Sequence, residues 1–167
     1  LAGHYKRDVH REQDDVGYPT ERTEQKIFSI GAEDTITFTN KLYAILGVSY
    51  DNQKTTKAEN YVVPRGGGTP YMEQLPKSDD ESWNPQGGLF YSMTDTGKLG
   101  FSISCKTRLP SIKDIYSYRF GRTIPNPDLK PEKAYNYELN YQDLFLKRVA
   151  LKTALFYRDI KDYIQQK

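Results

Sequence analysis

Apolar side chains recur at every second position along most of this chain. From 132 to 142, Tyr135, Tyr137, Leu139 and Tyr141 share one face, and Ala134, Asn136, Glu138 and Asn140 share the other. From 148 to 163, Val149, Leu151, Thr153, Leu155 and Tyr157 alternate with Arg148, Ala150, Lys152, Ala154, Phe156 and Arg158. The same period of two marks 25–34 (Phe28, Ile30, Ala32), 41–51 (Leu42, Ala44, Leu46, Val48, Tyr50), 87–93 (Leu89, Tyr91, Met93) and 98–106 (Leu99, Phe101, Ile103, Cys105). It is weaker over 3–12, where Tyr5, Arg7 and Val9 share a face. A period of two is the signature of a β-strand with one greasy and one wet face. Seven strands are therefore expected.

The connections alternate in length. Those at 52–86 and 107–131 read as long loops, and the one after the first strand is also long. Between them fall short joins at 35–40, 94–97 and 143–147. In an antiparallel up-and-down meander, such alternation gathers the long loops at one end and the short turns at the other. The strands are also long, mostly nine or more residues against a usual five or six. Gly66–Gly68 and four prolines (Pro64, Pro70, Pro76, Pro85) support the loop reading of 52–86. In 107–131, SIKDIYSYRFG suggests a short helical turn, and Pro125, Pro127 and Pro131 stiffen the approach to the next strand.

Composition changes this picture at two points. The mean hydropathy is −0.79 and no run reaches the roughly 18–20 apolar residues of a spanning helix. A membrane β-barrel needs apolar residues only at alternate positions, so it stays open. Tyrosine is heavily used, 14 of 167 residues, and suits a boundary where the ring is buried and the hydroxyl stays wet. A formal net charge of +2 points to neither nucleic acid nor an acidic partner. The single cysteine excludes an internal disulfide framework. The chain opens inside an alternating run and ends abruptly, which leads us to expect a piece of a longer protein.

A soluble sheet would show the same alternation. Strand length, loop asymmetry and Tyr-rich strand ends favour a barrel in a membrane. The last strand then orients the faces. A Lys or Arg near the bilayer midplane costs about 2–4 kcal/mol, so Lys152 must point to a wet lumen and Leu151 and Leu155 to lipid.

RLPSIKDIYSYRFG followed by IPNPDLKPEKAYNYELNYQ resembles the late barrel segment of TonB-dependent outer-membrane receptors. The matching residues are Arg108, Pro110, Ile112, Tyr116, Asn126, Pro127, Asp128, Leu129, Pro131, Glu132, Asn136, Glu138 and Leu139. Asn140 stands where the family usually has Gly. FYRDIKDYI and FSIGAEDTITFTNKLYAILGVSYDNQ are similar to neighbouring family segments. The resemblance implies an all-β fold, a partial segment from the C-terminal half of a transmembrane β-barrel, with 1–167 supplying wall and extracellular loops. It implies the bacterial outer membrane as location and energy-coupled uptake of a scarce nutrient (an iron chelate, a cobalamin or a glycan) as function. Its partners would be outer-membrane lipid, the receptor's own plug domain, the periplasmic TonB protein and the nutrient. An isolated fragment would be expected to self-associate through its sheet edges or apolar face. A soluble or surface adhesion protein and an outer-membrane barrel enzyme are the alternatives.

No Ser/His/acid or Cys/His arrangement points to catalysis, and no metal or cofactor is expected. His4 and His10 read as solvated strand residues, and Cys105 as a small hydrophobe. The acidic clusters Asp14–Asp15 and Asp79–Glu81 lack calcium-loop spacing and read as solvated loop. The best ligand candidates are Tyr116, Tyr118, Arg119 and Arg122, which interleave aromatic rings with cations. The motif residues Pro110, Asn126, Pro127, Asp128, Leu129, Pro131, Glu132, Asn136 and Glu138 read as structural, with Asp128 expected to close an Asx-turn.

Overall fold

The computed structural model describes residues 1–13, 15–64, 66–116, 126–145 and 148–165. It contains β1 (Ala2–Glu12), β2 (Glu21–Thr37), β3 (Leu42–Val62), β4 (Tyr71–Gln74), β5 (Asp79–Ser92), β6 (Lys98–Arg108), α1 (Ile112–Tyr116), β7 (Glu132–Phe145) and β8 (Val149–Lys161). One sheet runs in the order β1-β2-β3-β5-β6-β7-β8, with the short β4 beside the far end of β3. Every pairing is antiparallel. The sheet does not close on itself: it is an all-β meander and an arc of a barrel wall.

Register carries the alternation across the whole sheet. One row of opposed residues reads Ile36, Ala44, Leu89, Phe101, Leu139, Leu155. The neighbouring rows hold Leu46, Ile103, Tyr137 and Tyr157, then Ile30, Tyr50 and Trp83. All lie on one face, and most of its large side chains are exposed, Leu155 at 73% and Trp83 at 63%. Among the acids on this face, Asp34 and Asp143 lie within a few residues of a short turn, and Asp159, opposite Tyr135, lies near the far end of β8. The opposite face carries Ser29, Glu33, Asp51, Asn84, Gln86, Ser104, Asn136, Glu138 and Arg158. A one-residue slip at any pairing would swap these faces.

The reading of 52–86 as one long loop is corrected. β3 continues to Val62, and β5 begins at Asp79. At 21 residues, β3 is about 70 Å long, about twice the nine to eleven residues that cross a bilayer. These extensions escaped notice because KTTKAENY is polar on both faces and shows no apolar period. Pro85 was misleading for a separate reason. It lies where pairing of β5 with β6 stops, since that ladder begins at Gln86, and a proline is tolerated where no ladder bond is needed. Beside it the Asn84 side chain accepts the Thr107 N–H at 2.8 Å and donates to Asp51 at 2.7 Å, bridging the gap. β2 likewise starts four residues earlier than expected, and β8 stops at Lys161, where Asp162 turns into the left-handed region (φ 53°).

The alternation of connections persists. Long ones span 13–20, 63–78 and 109–131, and short ones 38–41, 93–97 and 146–148. At the 93–97 turn, Thr94 Oγ1 accepts the N–H groups of Thr96 and Gly97. A Cβ on Gly97 would stand 2.8 Å from that oxygen, so any larger residue here would push the Thr94 hydroxyl off its two bonds.

Candidate ligand-facing site at the long-loop end

The described interior lies where the long loops meet the polar face. A bulge in β3 places Thr56 outside the pairing with β2, between Gln25↔Thr55 and Glu24↔Lys57. Without that extra residue Ala58 would point to the apolar face. With it, Ala58 joins Gln53 and Thr55 on the polar face and is fully buried.

α1 docks on this surface. Ile112, Ile115 and Tyr116 pack with Ala58, and Leu75 closes the side. Its start is a reciprocal cap: Asp114 accepts the Ser111 N–H at 2.9 Å and hydroxyl at 2.8 Å, while Ser111 Oγ accepts the Asp114 N–H at 3.3 Å. Arg108 pairs with Asp114 at 3.0 Å and lies 3.8 Å from Glu132, tying the helix to both flanking strands. Gln53 donates its amide to the carbonyl of the buried Pro110. Beneath, Gln25 donates to Thr55, whose hydroxyl shares a proton with Ser78 at 3.0 Å. Burying these groups is tolerable because each has a partner.

Tyr116 is placed differently from its expected role. It is 7% exposed, and its hydroxyl donates to the Pro76 carbonyl at 2.9 Å and accepts the Ser78 N–H at 3.1 Å. Both capacities are used inside the protein, so Tyr116 anchors the loop rather than facing a ligand. Tyr118, Arg119 and Arg122 lie outside the described residues. The Asn126 N–H donates to the Ile115 carbonyl at 2.9 Å, which joins the end of α1 to the approach to β7.

The described motif residues make the following contacts. Asn126–Leu129 is a turn closed by Leu129 N–H to Asn126 carbonyl at 3.3 Å. That bond is main-chain, and Asp128 makes no side-chain hydrogen bond among the described residues, which corrects the Asx-turn expectation. Glu132 accepts the Ile164 N–H at 3.1 Å. Asn136 accepts from Arg158 Nε at 2.7 Å. Glu138 accepts from Asn140 at 3.3 Å. Pro127 and Pro131 frame the entry to β7. Asp79 and Glu81 are strand residues rather than loop ones, paired with Lys54 at 2.7 Å and Tyr50 at 3.0 Å.

On the apolar side, past the last greasy row, Glu24 sits in the part of β2 that lies beyond the bilayer-spanning length. The hydrogen bonds from Arg7 at 2.6 and 2.8 Å, with the charges of Arg7 and Arg22, hold its carboxyl down to about 2 despite its burial. Sequence reasoning missed this cluster and the Gln25–Thr55–Ser78 network. Their elements lie above the alternating region, and the bulge that re-aims β3 has no readable signal.

Long antiparallel strands, a continuous apolar outer face, a polar inner face and loops gathered at one end together define the wall of a membrane β-barrel. The chain belongs to the TonB dependent receptor-like β-barrel family, whose model matches residues 3–167. It is similar to the hemophilin receptor of Acinetobacter baumannii, at 28% identity over 126 residues, covering 69% of this chain and 12% of that protein. Its fold is that of the ferric-catecholate import receptor Fiu of E. coli K12. The closed form matches at TM-score 0.64 and 22% identity, over 84% of this chain and 22% of Fiu. The open form matches at TM-score 0.63 and 21% identity, over 86% of this chain and 21% of Fiu. The chain thus spans about an eighth of the curated relative and about a fifth of the solved receptors.

Proposed function

We propose that this chain forms part of the wall and extracellular loops of a bacterial outer-membrane receptor that imports an iron-bearing nutrient by energy coupling through TonB. The observation that carries this reading is the single register that keeps the rows ending at Leu155 and Tyr157 on one face and Lys152, Arg158 and Glu138 on the other. Such a surface suits lipid outside and a plugged, wet lumen inside. The fold relative that imports ferric catecholates and the relative that is a hemophilin receptor favour iron over a cobalamin or a glycan. The long-loop end is then extracellular. We assign ligand contact to Tyr118, Arg119 and Arg122, which lie in the sequence between Ile115 and Asn126; their cations and rings suit an anionic, aromatic iron carrier.

The test is growth on iron. A strain whose only iron receptor is the full protein carrying this segment should grow on a ferric catecholate or a haem-bearing protein as sole iron source. Growth should fail when the TonB protein is deleted. Replacing Arg119 and Arg122 by Ala should raise the iron-source concentration needed, with unchanged receptor in the outer membrane. Recovery of the receptor in the soluble fraction, or growth independent of TonB, would overturn the reading.

A further inference from the structure

β5 and β6 pair with each other only from Gln86 to Ser92 on β5, opposite Ser104 to Lys98 on β6. Both strands continue past that ladder toward the long-loop end. There β5 stays paired with β3 as far as Asp79, and β6 stays paired with β7 as far as Arg108. The sheet therefore forks beyond Gln86, and each branch is held by its outer neighbour. Ser92 donates its N–H to the Lys41 carbonyl at the foot of β3. Even-numbered residues of β5 thus turn their main-chain groups to β3, and odd-numbered ones turn theirs to β6. Pro85 is odd-numbered and has no N–H, so the ladder loses its donor at the first rung of the fork.

Side chains and one docked segment close the fork instead. Asn84 Oδ1 accepts the Thr107 N–H of the other branch at 2.8 Å, while its amide donates to Asp51 at 2.7 Å. Residues 109–116 leave β6 and cross back to the β3–β5 branch. The Pro110 carbonyl accepts from Gln53, the Tyr116 hydroxyl bonds Pro76 and Ser78, and Ile112 and Ile115 pack with Ala58. One buried polar atom on each branch has no hydrogen-bond partner among the described residues, Thr107 Oγ1 on β6 and Asp80 Oδ2 on β5. Such atoms carry a desolvation cost that water entering between the branches would relieve. Closure is thus held by side-chain contacts against a cost built into the closed form, which is the makeup of a segment that opens locally.

We propose that the fork between β5 and β6 is a seam at which the loop end of the wall opens, with residues 109–116 as the latch that closes it. When the latch lets go, the far ends of β5 and β6 separate while the ladder from Gln86 to Ser92 stays intact, and the mouth of the barrel widens. The strands themselves part, so this is not the movement of a loop on a fixed wall. The widening of a mouth rests on the barrel reading above; the seam needs only the sheet.

The experiment is amide exchange, read residue by residue by mass spectrometry, on the full receptor in outer-membrane vesicles. The Thr107 N–H points to β5, and those of Cys105, Ile103 and Phe101, at every second residue, point the same way. Ile103 and Phe101 lie in the ladder, opposite Gly87 and Leu89, whereas Cys105 and Thr107 lie in the fork. In the unaltered receptor Cys105 and Thr107 should exchange at one common rate, at least about tenfold faster than Ile103 and Phe101. Releasing the latch with Gln53→Leu and Tyr116→Phe should speed both by about a further tenfold and leave Ile103 and Phe101 unchanged. Pro85→Val supplies the missing donor at the position that the register, if continued, sets against Cys105, and should slow both about tenfold. Exchange at Cys105 and Thr107 as slow as at Ile103, no response to the latch variant, or equal acceleration of all four amides would each overturn the proposal. So would unchanged exchange in a Pro85→Val receptor whose heat-modifiable migration shows it assembled. If that variant does not assemble, the latch variant decides alone. A receptor recovered in the soluble fraction would refute the barrel reading, and the same four amides would still decide the seam.

Discussion

Leu139 and Asn140 are adjacent in β7 and meet opposite solvents. Leu139 stands between Phe101 and Leu155, in the middle of the greasy stretch from Tyr135 to Tyr141. It is 45% exposed with no protein above it, which in a membrane means contact with acyl chains. Asn140 points to the polar face between Gly100 and Ala154 and donates to Glu138 at 3.3 Å. Leu139→Lys puts an ammonium near the midplane and should cost about 2–4 kcal/mol. At about 1.4 kcal/mol per tenfold, the folded-to-unfolded ratio falls about 30- to 1,000-fold. Asn140→Lys introduces the same charge one residue away into water, beside the Glu138 carboxylate, and should stay within about 0.5 kcal/mol. The assay is equilibrium unfolding in guanidinium of the full receptor reconstituted in phosphatidylcholine vesicles, followed by tryptophan fluorescence. If the two variants lose equal stability, or if Leu139→Lys is silent, the assignment of faces is wrong.

The remaining predictions concern the strand end, the loop anchor and the rim. Leu151→Lys should lower the fraction of receptor assembled in the outer membrane more than Lys152→Leu does, as judged by heat-modifiable gel mobility. Tyr116→Phe leaves the Ser78 N–H and the Pro76 carbonyl without their buried partner, a cost of about 1–3 kcal/mol. Amide exchange at Ser78 and Asn126 should then accelerate while exchange in β7 stays slow. The Glu24 carboxyl is held at about 2 against an ordinary 4.5, chiefly by its hydrogen bond from Arg7. A depressed carboxyl stabilises the fold above the ordinary value and loses that contribution as the pH falls toward 2. Glu24→Gln should remove the part of the acid sensitivity between pH 4.5 and 2, measured by midpoint shifts in acid unfolding.

The residues differ in how far their placement could be read in advance. Leu139, Leu151 and Lys152 were legible because lipid contact imposes a strict period of two and a large penalty for charge. The gathering of long loops at one end was legible from Gly, Pro and polar runs. The stretches 52–62 and 79–86 were not. Above the hydrocarbon both faces of a strand meet water or other protein, so a strand there needs no alternation and looks like a loop. Tyr116 shows the same limit from another side: its aromatic and cationic surroundings suggested a ligand, yet two main-chain groups supplied by Pro76 and Ser78, some forty residues away, claim its hydroxyl.

The alternation in the chain therefore determined which face is apolar, where each strand alternates and which end bears the loops. Only the tertiary structure decided the length of β2, β3 and β5 beyond the belt, the bulge at Thr56 that turns Ala58 inward and the docking of α1 upon it. It alone parted β5 from β6 beyond Gln86. The first group follows from local contact of each residue with its solvent. The second depends on hydrogen bonds, packing and register between residues distant in the chain, which no local pattern records.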